Sequence, residues 1–352
     1  MSEFIKKNHN ATDVDFELNN SKLTSLEEYD TETAANLMTP AYLILEETMS
    51  VQDAMDYVRR QSSEGNFDEI SYMLVVDSNK ILKGGLNVSQ LLTSETSKSI
   101  SSIMYPDIIS VSTDTDQEQC ALIMERYNLL TLAVTDYSGR LEGIVKIEDM
   151  IEVFQDEATE DMYKMVGVYE GEKMLGPFWT SVKGRFPWLF INLITAALAG
   201  LVIVVFESTL TQVMALAAFL PVIAGQGGIV GTQTLTLMVR SMALEEISSE
   251  DTKKLLIKEL SLGVVHGFLL GLLAGTAAYL WQGNIYISLV IGFSMMGNLA
   301  VAGISGVALP LLLRAMKIDP ALSSAVFVTT VTDIVGFIIY LGMATLVISL
   351  IL

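Results

Sequence analysis

The sequence predicts two folds in one chain. An α+β half made of a duplicated unit is followed by an all-α membrane domain of five helices. Three observations predict this. Apolar residues make up 51% of the 352 and crowd into the second half. The first half repeats itself. The net charge of −20 falls almost entirely on that first half.

A mean hydropathy of +0.46 is too high for an ordinary soluble protein. From Trp188 onward the apolar runs reach the roughly 20 residues that a bilayer-crossing helix needs. Five spans are expected, near 186–206, 212–238, 258–281, 285–313 and 321–352. The first 36 residues are polar and acidic and lack the basic start and short apolar core of a secretory signal. A single cysteine, Cys120, excludes an internal disulfide framework and fits a reducing compartment.

Loop charges orient the spans. Lys183, Arg185, Arg240, Lys253, Lys254, Lys258, Arg314 and Lys317 fall before the first span, between the second and third, or between the fourth and fifth. The other connections and the C-terminus carry no basic residue. The positive-inside rule then gives a multi-pass protein of the cytoplasmic (inner) membrane, N-terminus cytoplasmic and C-terminus outside. Residues 1–185 hold 33 acidic and 15 basic residues, about −18 in net charge. Such a half repels nucleic acid and anionic lipid and attracts cations.

The duplication is read from two pairs of segments. LMTPAYLIL (37–45) is echoed by IMYPDIISV (103–111), and LVVDSNKILKGGLNVSQLL (74–92) by AVTDYSGRLEGIVKIEDMI (133–151). The offset falls from 66 residues at Pro40 and Pro106 to 59 at Asp77 and Asp136, which places seven extra residues of the first copy within 61–69. Each copy reads as strand, helix, strand, turn, strand, helix. The repeat resembles a tandem pair of CBS domains, with boundaries at 37–95 and 96–156 after a short polar segment, 1–36. The resemblance raises the question of ATP or AMP binding. Of the family's Ser/Thr and Asp positions, only Asp149 fits. The first copy has Gly84, Asn87 and Gln90, the second Gly143, Lys146 and Asp149. A domain that signals without nucleotide is the preferred reading.

The segment 152–186 joins this pair to the membrane domain at 184–352 and opens with helical periodicity. Ile151, Phe154, Ala158, Met162 and Met165 share one face by helical spacing. Acids crowd the rest of 152–172, among them Asp156, Glu157, Glu160 and Asp161.

Within the spans, PVIAGQGGIVGTQ (221–233) brings four glycines and a proline to bilayer depth. Irregular backbone there is tolerated only where it is packed in protein or lines a wet cavity. Gly263, Gly267, Gly271 and Gly275 recur every four residues and read as a packing stripe. Asp319 before Pro320 reads as a helix start. Asp333, in TTVTDIVG (329–336), is the only charged residue in the apolar body of any span. An unpaired carboxylate at that depth is costly and marks an ion or proton path. Its neighbours Thr329, Thr330 and Thr332 offer only oxygen, which suits a hard cation such as Mg²⁺ or Ca²⁺. No nucleophile–base pair, zinc pattern or phosphate loop points to an enzyme.

The CBS pair, the acidic connecting helix and spans containing GGxxGxQ, LPLLLRxxxxDPA and TTxTDxxG together resemble the MgtE family of magnesium channels, over about residues 37–350. The resemblance implies a homodimer in the lipid bilayer with one pore on its two-fold axis, closed when cytosolic Mg²⁺ is high, and a connecting, or plug, helix over 157–183. It implies that Asp333 from both subunits holds hydrated Mg²⁺, with the Thr329 backbone carbonyl facing the same site. Gly227, Gly228, Gly231, Gln233 and Gly336 are then expected to line the pore. Asp319 and the acids Asp156, Glu157, Glu160 and Asp161 are expected to bind regulatory Mg²⁺.

The sequence departs from the family pattern in three places. Only about 36 residues precede the CBS pair, where an acidic helical domain is usual, so gating that needs that domain is expected to be altered. Ile229 and Ala325 stand where asparagines are expected, which bears on ion selectivity. A Na⁺-coupled Mg²⁺ carrier, a broader divalent cation transporter, and a membrane-bound sensor without transport stay open as alternatives.

Overall fold

The computed structural model describes residues 32–39, 42–63, 72–169, 171–322 and 325–351. Pro40, Glu170 and most of both the N-terminal segment and the insertion expected in 61–69 lie outside them. The chain divides into two compact units, 1–157 and 158–352.

In the first unit the duplication is visible strand by strand. β1 (Ile44–Glu46) runs parallel to β2 (Tyr72–Val76), which pairs antiparallel with β3 (Leu82–Asn87). The second copy repeats this with β4 (Ser110–Ser112), β5 (Thr131–Thr135) and β6 (Leu141–Lys146). Helices α1 (Val51–Ser63) and α2 (Val88–Thr93) belong to the first copy, α3 (Gln117–Tyr127) and α4 (Ile147–Val166) to the second. Even the irregularity recurs, a register shift at Val75/Val76 and at Val134/Thr135.

Local chemistry explains the boundaries. Asn87 caps α2 by accepting the Gln90 amide, and Asp116 caps α3 by accepting that of Glu118. Asp77 and Asp136 each fold the hairpin turn of their copy around a side-chain oxygen that accepts two backbone N–H groups. The two copies then interlock. Leu82 N–H donates to Gly139 O and Leu141 N–H to Lys80 O, both at 3.0 Å. Leu74, Val76, Ala133, Leu141 and Ile144 form the shared core between the two sheets. Met38 packs on Gly143 and Met104 on Gly84, so each glycine leaves room for the other copy's methionine.

The second unit contains five helices long and apolar enough to cross a membrane. They are α5 (Phe178–Val205), α6 (Leu220–Ala243), α7 (Thr252–Gln282), α8 (Ile285–Ala315) and α9 (Ala325–Leu346), with a 3-10 stretch, Met214–Phe219, leading into α6. α8 is the hub: 61% of its most apolar stretch is buried, against 6% for α5. The glycine stripe of α7 lies on the α8 backbone, as its spacing implies. A Cβ on Gly263 would sit 2.4 Å from Leu299 O, and one on Gly267 2.4 Å from Met296 Cα.

Two helix boundaries differ from those expected. The connecting helix is Ile147–Val166, not 157–183; it is the last helix of the second CBS copy carried onward. It stops because Gly167 adopts φ +69° and its N–H bonds Lys164 O, while Val168 N–H bonds Tyr163 O. Pro177 then opens α5. The apolar face proposed for this helix is mostly exposed: Ile151, Phe154 and Met162 lie on the surface, while Met150 and Val153 are buried. Asp319 caps only the 3-10 turn Pro320–Leu322, accepting the Ala321 amide at 2.8 Å; α9 starts later, at Ala325.

The α7–α8 contact gives a direct test. Gly267→Val forces a branched side chain into the α8 backbone and should cost about 1–3 kcal/mol or more. Gly200→Ala, which meets nothing within 4 Å, should not lower stability. Thermal unfolding in detergent measures both.

Candidate functional site

Asp333 lies in the third turn of α9 and faces an open cleft of about 550 Å³ between α9 and α6. The cleft is lined by Ala224, Gly225, Gly228, Ile229, Thr232, Gln233, Thr329 and Asp333. No lysine, arginine or histidine is among them. Gly228 keeps the wall low enough for Thr329 to rest on it, since a Cβ there would come within 3.1 Å of the Thr329 methyl. The Thr329 carbonyl accepts the Thr332 hydroxyl at 2.9 Å, and its own hydroxyl donates to Val326 O. Ile229 exposes an apolar side chain in the cleft, and Ala325 lies two helical turns, about 12 Å, from Asp333 toward the start of α9.

Of the residues expected to line a pore, Gly228 and Gln233 border this cleft. Gly227, Gly231 and Gly336 are buried in helix contacts instead: Gly227 and Gly336 meet Asn298 of α8, and Gly231 meets Val328. Asn298 is fully buried. Its Nδ2 donates to Ile223 O at 2.8 Å, while its Oδ1 has no hydrogen-bond partner among the described residues. Sequence reasoning passed over it because an asparagine in an apolar run, unlike a carboxylate, raises no alarm by charge.

Glu259 is a second polar residue the sequence placed at the margin of a span. It lies two turns into α7 and accepts the Thr234 hydroxyl of α6 at 2.9 Å.

The acids expected to bind regulatory ions meet different partners. Asp156 is exposed, and Glu157 accepts from Gln117 Nε2 at 2.6 Å. Glu160 pairs with Lys164, which also donates to Asp319 Oδ2 at 2.8 Å. Burial, with the Asp319 carboxylate close by, pushes Asp161 up to about 6. Three carboxylates thus share one ammonium, a local charge of −2. The adjacent Met165 packs with Leu235, Val239, Ala321 and Val328, fixing the end of α4 on α6 and α9. Farther along, Arg185 at the start of the first span holds Glu172 through Nε and Nη2, at 2.8 and 2.5 Å. Asp149 is exposed in the first turn of α4, and in the first copy Asn87 and Gln90 are used by the fold itself, one as a cap and one bonded to Ile103 O.

A CBS pair followed by five apolar helices that carry a carboxylate onto an open cleft defines an ion-transporting membrane protein with an attached CBS module. The family model described as a divalent cation transporter, MgtE, matches residues 220–343, and that of the CBS domain matches 100–156. The magnesium transporter MgtE of Thermus thermophilus is 34% identical over 334 residues, 94% of this chain and 73% of its own length. That of Bacillus subtilis is 31% identical over 317 residues, 90% of this chain and 70% of its own. The solved cytosolic domain of the Mg²⁺ channel MgtE in complex with ATP is 34% identical, covering 39% of this chain and 54% of its own, with a TM-score of 0.37. The chain belongs to the MgtE family.

The charge cluster at the end of α4 should respond to pH. Asp161 is raised where α4 is docked, so docking disfavours its charged form. That penalty is absent at low pH and complete once pH passes about 6. Lowering pH from 7.5 to 5.5 should therefore tighten the contact, and Asp161→Asn should remove the dependence. Spin labels at the exposed Met162 and Met316 would report the distance; an equal pH response in both proteins would refute the assignment.

Proposed function

We propose that the protein is a Mg²⁺ channel of the cytoplasmic membrane, working as a homodimer whose two clefts face each other across the pore. The observation that carries this reading is Asp333, a carboxylate on an open cleft at membrane depth with no basic residue on its walls. In one protomer it lacks a counter-charge. A two-fold partner would set a second Asp333 opposite, and a hydrated divalent cation would neutralise both. Mg²⁺ sheds water reluctantly and is held by few carboxylates plus its own waters. Gln233 and Thr232 supply polar groups for those waters, and Ile229 does not.

Regulation follows from the acids at the end of α4. Glu160, Asp161 and Asp319 keep a charge of −2 after Lys164 is counted, so Mg²⁺ in the cytosol would be drawn there and hold α4 against α6 and α9. Asp156 and Glu157 lie one turn back along the helix and contribute less. The orientation implied by loop charge puts this cluster and the CBS pair in the cytoplasm. A nucleotide at the CBS pair would have Asp149 to recognise it and no equivalent in the first copy.

Flux into liposomes tests the reading. Asp333→Ala should reduce Mg²⁺ uptake by about 100-fold or more while the dimer still forms, since the ion loses its only charged ligand in the cleft. Wild-type flux in that variant would exclude the site, and dependence of uptake on Na⁺ would favour a coupled carrier. Ile229→Asn with Ala325→Asn should sharpen discrimination of Mg²⁺ against Ca²⁺ and Mn²⁺; unchanged competition curves would show that those amides do not matter here. Glu160→Gln with Asp161→Asn should abolish Mg²⁺-dependent protease protection of 158–177, whereas Asp156→Asn should leave it intact.

A further inference from the structure

We infer that Asn298 is a positioning residue for ion passage: it sets the separation of α6 and α9 and thereby where the Asp333 carboxylate stands in the cleft. The inference rests on Asp333 being the ion site, as proposed above.

The geometry is that of a spacer. Asn298 projects from α8, the hub helix, and is fully buried. It meets a glycine on each of the two helices that form the cleft. A Cβ on Gly227 of α6 would lie 2.5 Å from its Nδ2, and a Cβ on Gly336 of α9 would lie 2.7 Å from its Oδ1. A Cβ on Gly336 would stand almost equally far from Oδ1, Cγ and Nδ2, at 2.7, 2.8 and 2.9 Å, so α9 meets the face of the amide while α6 meets its Nδ2 end. Gly227 adjoins Gly228, which borders the cleft, and Gly336 is three residues from Asp333. On α6 the face that meets Asn298 is turned away from the cleft, whereas on α9 Gly336 and Asp333, three residues apart, neighbour each other on one face.

Packing alone does not account for an amide here. A leucine has the same branching and would fill the space without bringing polar atoms into an apolar bundle. Among the described residues, Asn298 leaves Oδ1 without a donor and satisfies only Nδ2. That one bond, to Ile223 O in the first turn of α6, fixes the rotation of the amide plane and ties it to the glycine-rich segment. A planar group held at one end has a single thickness, whereas a leucine can repack among rotamers. The structure thus keeps a polar group at a cost in stability and gains a fixed distance between two helices. A divalent ion shared by carboxylates and waters is sensitive to such a distance, because its ligands must converge within a few tenths of an ångström.

The test separates positioning from folding. Mg²⁺ flux into liposomes is measured against Mg²⁺ concentration, with Ca²⁺ competition, for wild type, Asn298→Leu, Asn298→Asp, Gly336→Ala and Asp333→Ala, alongside thermal unfolding and dimer content. Asn298→Leu should raise the half-saturating Mg²⁺ concentration about tenfold and weaken discrimination against Ca²⁺, with maximal flux changed less. Gly336→Ala, which displaces the amide without replacing it, should shift the same two quantities. Asn298→Asp keeps the outline but loses the Nδ2 donor that bonds Ile223 O, so it should shift the same two quantities. If the Asn298→Leu protein does not fold, Gly336→Ala and Asn298→Asp decide by the same criterion. Altered melting with unchanged half-saturation and selectivity would overturn the inference and leave Asn298 a packing residue. Wild-type flux in Asp333→Ala would instead remove the site itself, an outcome distinguishable because it does not involve Asn298.

Discussion

A polar atom held away from water needs a partner, and in the membrane half of this protein water cannot supply one. That constraint orders the bundle. Tyr340 donates to Leu216 O, Thr234 to Glu259, Thr209 shares a hydrogen bond with Thr345, and Asn284 caps α8 while donating to Ile351 O. Apart from the Asn284 cap, each bond joins segments at least 25 residues apart, so satisfying the polar groups also fixes the packing. Asp333 is handled differently. It faces an open cleft, where an ion or water can reach it, and this exposure is what supports the proposed ion site.

Glycine does three separate jobs in the chain. On α7 it lets two helix backbones touch, in a bundle where lipid is as apolar as the helices and only close contact favours association. On α6 and α9 it makes room for one amide. At Gly167 it permits the left-handed turn that ends α4 and sends the chain toward the first span. In each case the missing Cβ matters for a different reason: van der Waals contact, space for a polar wedge, or backbone conformation.

The acids of α4 show how one helix divides a charge run. At about 100° per residue, Asp156, Glu157, Glu160 and Asp161 fall on one face of the helix, and what separates the first two from the last two is one turn along the axis. Glu157 turns to Gln117, and Glu160 and Asp161 turn to Lys164 and Asp319. A count of negative charge along the segment averages over that difference.

The sequence by itself determined the two-part architecture, the duplication, the number of spans and the singular place of Asp333. These follow from composition, from periodicity and from the cost of charge in hydrocarbon, all local or additive properties. The end of α4 was half legible: the break at Gly167 is written in a residue type, but the apolar spacing of 151–165 suggested a longer buried face than exists. Tertiary structure decided which glycines border the cleft, which acids meet Asp319, and that Asn298 packs against both α6 and α9. Those depend on which faces of helices far apart in sequence meet. Helical periodicity fixes the relative angle of two residues on one helix, but it cannot say which neighbour either of them meets.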